Sequence, residues 1–235
     1  MNNRTFVNYA HRGASSYEPE NTMQSFHLGL KMGANGIETD VQRTKDGVLV
    51  LFHDDTIRRV TGQDGSIQDY TYEQLQQFDV CVHGRKGKIA KFQDFLEAFS
   101  HLDLVFAIEF KEELIEEQVI DLLEQYGMRE KTILTSFKLD CLMRAKLYRP
   151  DYQAGYLTYG VNALPTKVLK LIGVEQVCPD GKTITRELVE DLHAQGFTVR
   201  AWGIADEELM KQVYDAGADG MTVNFPDKLT AYMYR

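Results

Sequence analysis

Cysteine is scarce in this 235-residue chain: Cys81, Cys141 and Cys178 are the full complement, and no two form a CxxC pair. That excludes zinc-finger and thioredoxin-like readings and suggests inert thiols in a reducing compartment. Proline and glycine are also modest, 5 and 18 residues, so collagen-like and low-complexity classes are excluded. Long apolar runs are missing. The longest, Val48–Phe52 and Leu104–Ile108, span five residues each, against the roughly 20 that a membrane helix needs. The opening segment, MNNRTFVNYAHRG, has no apolar stretch of the signal-peptide kind. A cytoplasmic protein without stable membrane association is the expectation. Positive charge is in deficit as well, with 26 Lys and Arg against 35 Asp and Glu and a net charge of −9. Sequence-independent nucleic-acid binding needs a basic footprint, which this composition does not offer. An anionic substrate remains compatible with it, provided a metal or a few cations invert the local field.

The rest is an ordinary globular balance, 43% hydrophobic and 26% charged, with no composition shift that marks a linker. Short β-rich runs alternate with helical patterns. Strands are expected at Phe6–Ala10, Gly36–Val41, Leu104–Phe110, Thr132–Thr135, Gln153–Thr158, Glu175–Cys178, Thr198–Trp202 and Gly220–Val223. Helices are expected near 21–33, 92–101, 113–127, 138–148, 165–172, 185–195, 206–216 and 226–233. Asp206 and Thr185 read as N-caps, and Gly217 and Gly196 as the matching stops. Asn21 and Thr22 read as caps of the first helix. Eight βα units in this length suit an α/β (β/α)8 TIM barrel, with a doubly wound open sheet as the rival. One domain over 1–235 is expected, with a small insertion after strand 2 at about 42–91. Within it, the Asp-Gly signal at Lys45-Asp46-Gly47 predicts a hairpin over Glu38–Phe52. A turn centred near Lys45–Asp46 would set His53 roughly opposite Glu38.

Chemistry-bearing residues gather at the expected C-terminal ends of the strands. In GIETDV, Glu38 and Asp40 stand two apart, so both carboxylates face one side of the sheet. Two such charges repel unless a cation lies between them, which suits a hard ion such as Mg2+ or Ca2+; a surface position for one of them is the alternative. In FAIEFK, Glu109 and Lys111 repeat the spacing behind an apolar run. Glu109 is either a third metal ligand, with Lys111 facing an anion, or half of an internal ion pair. His11 and Arg12 follow the first strand, and His53 closes VLVLFHD. They offer acid–base groups and a phosphate-matching fork, or else a capping His and a salt-bridged Arg. Together the set suits metal-assisted phosphoryl chemistry. Trp202 either packs the barrel mouth or walls a small alcohol. His27, His83, His101 and His193 fall on expected helices or in the insertion and read as structural.

The blocks AHRGASSYEPENTMQSF, GIETDVQRTKDGVLVLFHDDTIRRVTG, IEFK and GFTVRAWGIADEELMKQVYDAGADGMTVNFPDKL resemble the glycerophosphodiester phosphodiesterase family over essentially the whole chain. The resemblance implies a TIM barrel with a small insertion, a divalent cation, and hydrolysis of a small-molecule glycerophosphodiester to sn-glycerol 3-phosphate and an alcohol. It implies His11 and His53 as the catalytic histidines, Glu38, Asp40 and Glu109 as metal ligands, and Arg12 and Lys111 as phosphate-facing cations. His11 is expected as the base and His53 as the acid. MTVNFP departs from the Asp that many members carry before the Pro segment, and Ile89-Ala90-Lys91-Phe92 departs from the usual exit of the insertion. A lysophospholipase D on the same fold and a non-catalytic metal- or phosphodiester-binding barrel are the alternatives.

Overall fold

A computed structural model describes residues 6–82, 84–161 and 164–235. Its central feature is a ring of parallel strands: β1 (Val7–His11), β2 (Gly36–Arg43), β6 (Val105–Phe110), β7 (Thr132–Ser136), β8 (Gln153–Thr158), β9 (Gln176–Pro179), β10 (Thr198–Ala201) and β11 (Gly220–Val223). Each pairs with the next, and β11 returns to β1, so the eight strands close into a barrel. The helices α1 (Met23–Lys31), α4 (Phe92–Phe99), α5 (Glu116–Gln125), α6 (Leu139–Tyr148), α7 (Thr166–Leu171), α8 (Arg186–Ala194), α9 (Glu207–Asp215) and α10 (Pro226–Met233) alternate with those strands. This is the (β/α)8 TIM barrel that the alternation predicts, with boundaries within a few residues of expectation.

Local chemistry explains the element ends. Asp206 accepts from the Leu209 N–H at 2.8 Å and Thr185 from the Leu188 N–H at 3.1 Å, each satisfying a donor of a helix's first turn. Val189, Leu192, Met210 and Val213 bury the apolar faces of these two helices. Thr22 caps α1 as expected, whereas Asn21 does not.

Between β2 and β6 the chain leaves the barrel. β3 (Leu49–Leu51) pairs antiparallel with the extended end of β2, setting Val41 opposite Leu51 and Arg43 opposite Leu49. The Gly47 N–H reaches the Thr44 carbonyl at 3.0 Å, and Gly47 adopts φ +83°. This is a turn followed by a left-handed residue, a three-residue loop, where the Asp-Gly signal suggested a shorter one. The register therefore shifts by one, and continuing it sets His53 across from Thr39, not Glu38. Beyond it lie α2 (Arg58–Thr61), α3 (Tyr72–Leu75), and a β4–β5 hairpin (Val80–Val82, Arg85–Gly87). Val50, Phe52, Ile57, Val60, Ile67, Leu75, Val80 and Ile89 give this insertion a small core of its own. Those strands are three residues long, too short for alternation to reveal them. Among the described residues no helix is long and apolar enough to cross a membrane.

Candidate active site

β2 carries Glu38 and Asp40 on its barrel-facing side, and its parallel register with β6 sets Asp40 beside Glu109. All three carboxylates are buried, and one oxygen from each lies within 4.8 Å of the others. Lys111 holds the Glu109 carboxylate at 2.8 Å, and the Arg12 Nε lies 3.1 Å from Asp40 Oδ2. The Arg12 backbone N–H also reaches a Glu38 carboxylate oxygen at 3.3 Å. Burial drives the Glu38 pKa up to about 8, with repulsion from Asp40 and Glu109 adding to it. Burial and Asp40 likewise raise Glu109 to about 7. Burial works the same way on Asp40, but Arg12 and Lys111 outweigh it and hold that carboxyl well below the usual range. Asp40 Oδ1 is buried without a hydrogen-bond partner among the described residues, with the Lys111 Nζ 3.8 Å away. An orphaned carboxylate oxygen among three converging carboxylates fits a hard, oxygen-seeking cation.

Asn21 supplies a buttress that its reading as a cap had missed. Its Nδ2 donates to Asp40 Oδ2 at 2.9 Å and its Oδ1 accepts from the Thr39 hydroxyl at 2.8 Å. It sits at φ +55° between Arg12 and α1, and its backbone N–H bonds the Arg12 carbonyl at 3.0 Å.

Both histidines line the cavity above these carboxylates' strands, His11 from β1 and His53 from the insertion. His11 ends β1, with Nε2 3.9 Å from Glu38 Oε2 and Nδ1 2.5 Å from Asn224 Oδ1. Burial, reinforced by Arg12, lowers its pKa to about 3, so the ring is neutral near pH 7. His53 follows β3; its Nδ1 lies 2.7 Å from Asp54 Oδ1. Arg59 of α2 grips both Asp54, with Nε at 2.5 Å, and Glu20, with Nη1 at 2.8 Å. Glu20 in turn bonds Arg12 at 2.9 Å. One chain of charges, Asp54–Arg59–Glu20–Arg12–Asp40, thus ties the insertion to the carboxylate cluster. Sequence reasoning missed Asp54, Arg59 and Glu20, although the first directly follows His53 and the last lies in the PEN segment.

The site opens into a cavity of about 790 Å3 whose lining includes His11, Arg12, Glu38, His53, Glu109 and Lys111. Trp202 lies on its wall, donating Nε1–H to the Cys178 carbonyl at 3.0 Å, and its ring stands near perpendicular to Phe137 and Tyr159. Arg200 was not anticipated. It is 1% exposed inside the barrel, bonded through Nε to Gln176 and through Nη1 to Thr222, both at 3.1 Å. A charge within the buried run TVRA was the only sign of it. Of the other histidines, His193 Nε2 meets Asp219 at 2.7 Å, His27 packs on Phe99 and His101 is exposed, while His83 lies outside the described residues.

Comparison with known proteins agrees with this geometry. Residues 11–228 match the glycerophosphoryl diester phosphodiesterase family. A glycerophosphodiester phosphodiesterase of Bacillus altitudinis is 32% identical over 232 residues, covering 94% of this chain and 95% of the relative. One from Caldanaerobacter subterraneus subsp. tengcongensis is also 32% identical, over 229 residues, covering 94% of each chain. Among solved structures, an Oleispira antarctica phosphodiesterase in complex with the product sn-glycerol-3-phosphate superposes with a TM-score of 0.88. It is 27% identical, and the match covers 97% of this chain and 96% of that one.

Proposed function

The chain belongs to the glycerophosphoryl diester phosphodiesterase family and is an enzyme of that class, and we propose that it hydrolyses glycerophosphodiesters to sn-glycerol 3-phosphate and an alcohol with a bound divalent cation. The observation that carries the reading is the buried Glu38–Asp40–Glu109 cluster, whose Glu38 and Glu109 line the same cavity as both histidines. Glu38, Asp40 and Glu109 would hold the cation, and their all-oxygen donor set favours Mg2+ or Ca2+. When bound, it supplies Lewis-acid stabilisation of the charge that builds on the phosphoryl oxygens.

The chain's own groups do the rest. Arg12 and Lys111 flank the cluster and share the developing negative charge. His11, neutral and with Nε2 toward the carboxylates, takes a proton from the attacking water or glycerol hydroxyl. A bond forms from that oxygen to phosphorus as the bond to the departing alcohol oxygen breaks. His53, held by Asp54, returns a proton to the departing alkoxide, which otherwise leaves poorly. If the glycerol hydroxyl attacks first, a cyclic phosphate forms and water then opens it by the same groups. Trp202, with Phe137 and Tyr159, walls the side of the cavity where an alcohol can pack.

The test is a turnover assay on glycerophosphocholine, glycerophosphoethanolamine and lysophosphatidylcholine, each with Mg2+, Ca2+ or chelator. Cation-dependent turnover of the glycerophosphodiesters is the expected outcome. Turnover of lysophosphatidylcholine alone would replace this reading with lysophospholipase D activity, and turnover of none would leave a binding barrel.

A further inference from the structure

The parallel pairing of β1 with β11 sets Ala10 opposite Val223. The next residue along the chain is His11 on one side and Asn224, just past the end of β11, on the other, so continuing the register makes them neighbours. The Asn224 backbone is held from several directions. Its carbonyl accepts the Ser16 N–H at 3.0 Å, Val223 before it is fully buried, and Phe225 and Pro226 after it are buried at the start of α10. The side-chain amide therefore projects from a fixed stem, with Oδ1 2.5 Å from His11 Nδ1.

An amide oxygen only accepts, so the ring nitrogen facing it must carry a hydrogen. In a neutral imidazole the lone pair then lies on Nε2. That is the nitrogen turned toward the carboxylates, 3.9 Å from Glu38 Oε2. Without the amide, the ring is free to carry its proton on Nε2, where it could not accept one from a nucleophile. It could also turn about its side-chain bonds.

We propose that Asn224 is the positioning residue for His11, holding the ring in its Nδ1–H form with the Nε2 lone pair aimed at the reaction centre. This rests on the reading of His11 as the base.

The experiment uses the full-length protein loaded with Mg2+. Long-range ¹H–¹⁵N spectra of the histidine rings report the tautomer directly, with the His11 signals identified by their loss in His11→Ala. The wild type should show Nδ1–H. Asn224→Leu, which keeps the volume and removes the acceptor, should shift His11 toward Nε2–H. It should also lower kcat about 10–100-fold, as losing a partner that orients a site histidine typically does, with KM within about twofold. Asn224→Ala is the second variant should the leucine fail to fold. Asn224→Asp keeps the acceptor and should restore the Nδ1–H form and most of the turnover. An unchanged tautomer in the acceptor-less variants overturns the proposal. So does a shifted tautomer with unchanged kcat where His11→Ala is inactive. Full turnover in His11→Ala overturns the base assignment instead, and the spectra still decide whether Asn224 sets the ring.

Discussion

Glu38 and Glu109 make the site's chemistry legible through pH. Burial raises them to about 8 and about 7, so the metal-free native state keeps protons that the unfolded chain releases. Their stabilising contribution is complete below the ordinary carboxylate range and is lost as pH rises through those raised values. His11 works in the opposite direction. With its pKa lowered to about 3 from 6.5, its contribution is present above pH 6.5 and lost as pH falls. From pH 6.5 to about 8 the carboxylates act alone, and the Tm of chelated protein should fall. Saturating Mg2+ or Ca2+ should raise the Tm and flatten that slope, because the ion takes the place of the protons. A flat metal-free profile over this interval would contradict the account. The histidines can be separated on a substrate whose leaving group needs no proton. His53→Ala should lose about 10²–10⁴-fold on a natural diester and much less on bis(p-nitrophenyl) phosphate. His11→Ala should remain damaging on both, and equal losses for both variants on both substrates would overturn this assignment of acid and base.

Two glycines show how far an element's backbone reaches into function. Gly13, at φ +85°, lies against α1, and an added Cβ would sit 2.4 Å from the Ser25 carbonyl carbon and hydroxyl. Arg12 precedes it at φ +55°, and its carbonyl accepts the Ser25 hydroxyl at 3.1 Å. Gly13→Ala should therefore push α1 away from β1 and displace Arg12 from Asp40, lowering both Tm and kcat. Gly47 also sits at φ +83°, but nothing lies within 4 Å of its missing Cβ. Gly47→Ala should cost only the backbone strain, about 1 kcal/mol, and leave turnover unchanged. Parallel melts and kinetics of the two variants test the contrast. Comparable kinetic damage in both would mean that the β2–β3 loop bears on the site, contrary to its geometry.

For the molecule as a whole, the barrel separates stability from chemistry by depth and by side. Apolar packing is concentrated between barrel and helices, where Phe26, Phe92, Phe95, Phe99 and Phe106 form one buried aromatic cluster. Phe95 is fully buried and touches four of these rings' company from α4. Phe95→Ala should cost about 3–5 kcal/mol in chemical denaturation, while the kcat of the remaining folded protein stays near wild type. The inside of the barrel is a different environment, where the buried Arg200 bonds both Gln176 and Thr222. A buried cation without a carboxylate beside it is costly to a fold, and here it lines the same cavity as Glu38 and Glu109.

Local chemistry in the chain determined much of this. The alternation of β runs and capped helices announced the closed barrel, since a strand of five or six residues and a helix of about ten each carry their own period and their own stop. Glu38 and Asp40 could be paired from their spacing, because residues two apart on a strand share a face whatever surrounds them. What the tertiary structure alone decided depends on strands far apart in sequence. The closure of β11 onto β1 brings Asn224 to His11, over a separation of 213 residues, and no local pattern encodes that neighbour. The hairpin register turned on whether the loop at Lys45–Gly47 takes two residues or three, a difference set by hydrogen bonds between Thr44 and its neighbours. The linkage of Arg59 to Glu20 and Arg12 required the insertion to fold back over the barrel mouth. Residue types and spacing specify which groups are candidates for the chemistry, but their shifted pKa values and ring orientations arise from burial and from cross-barrel partners, which exist only once the chain has closed.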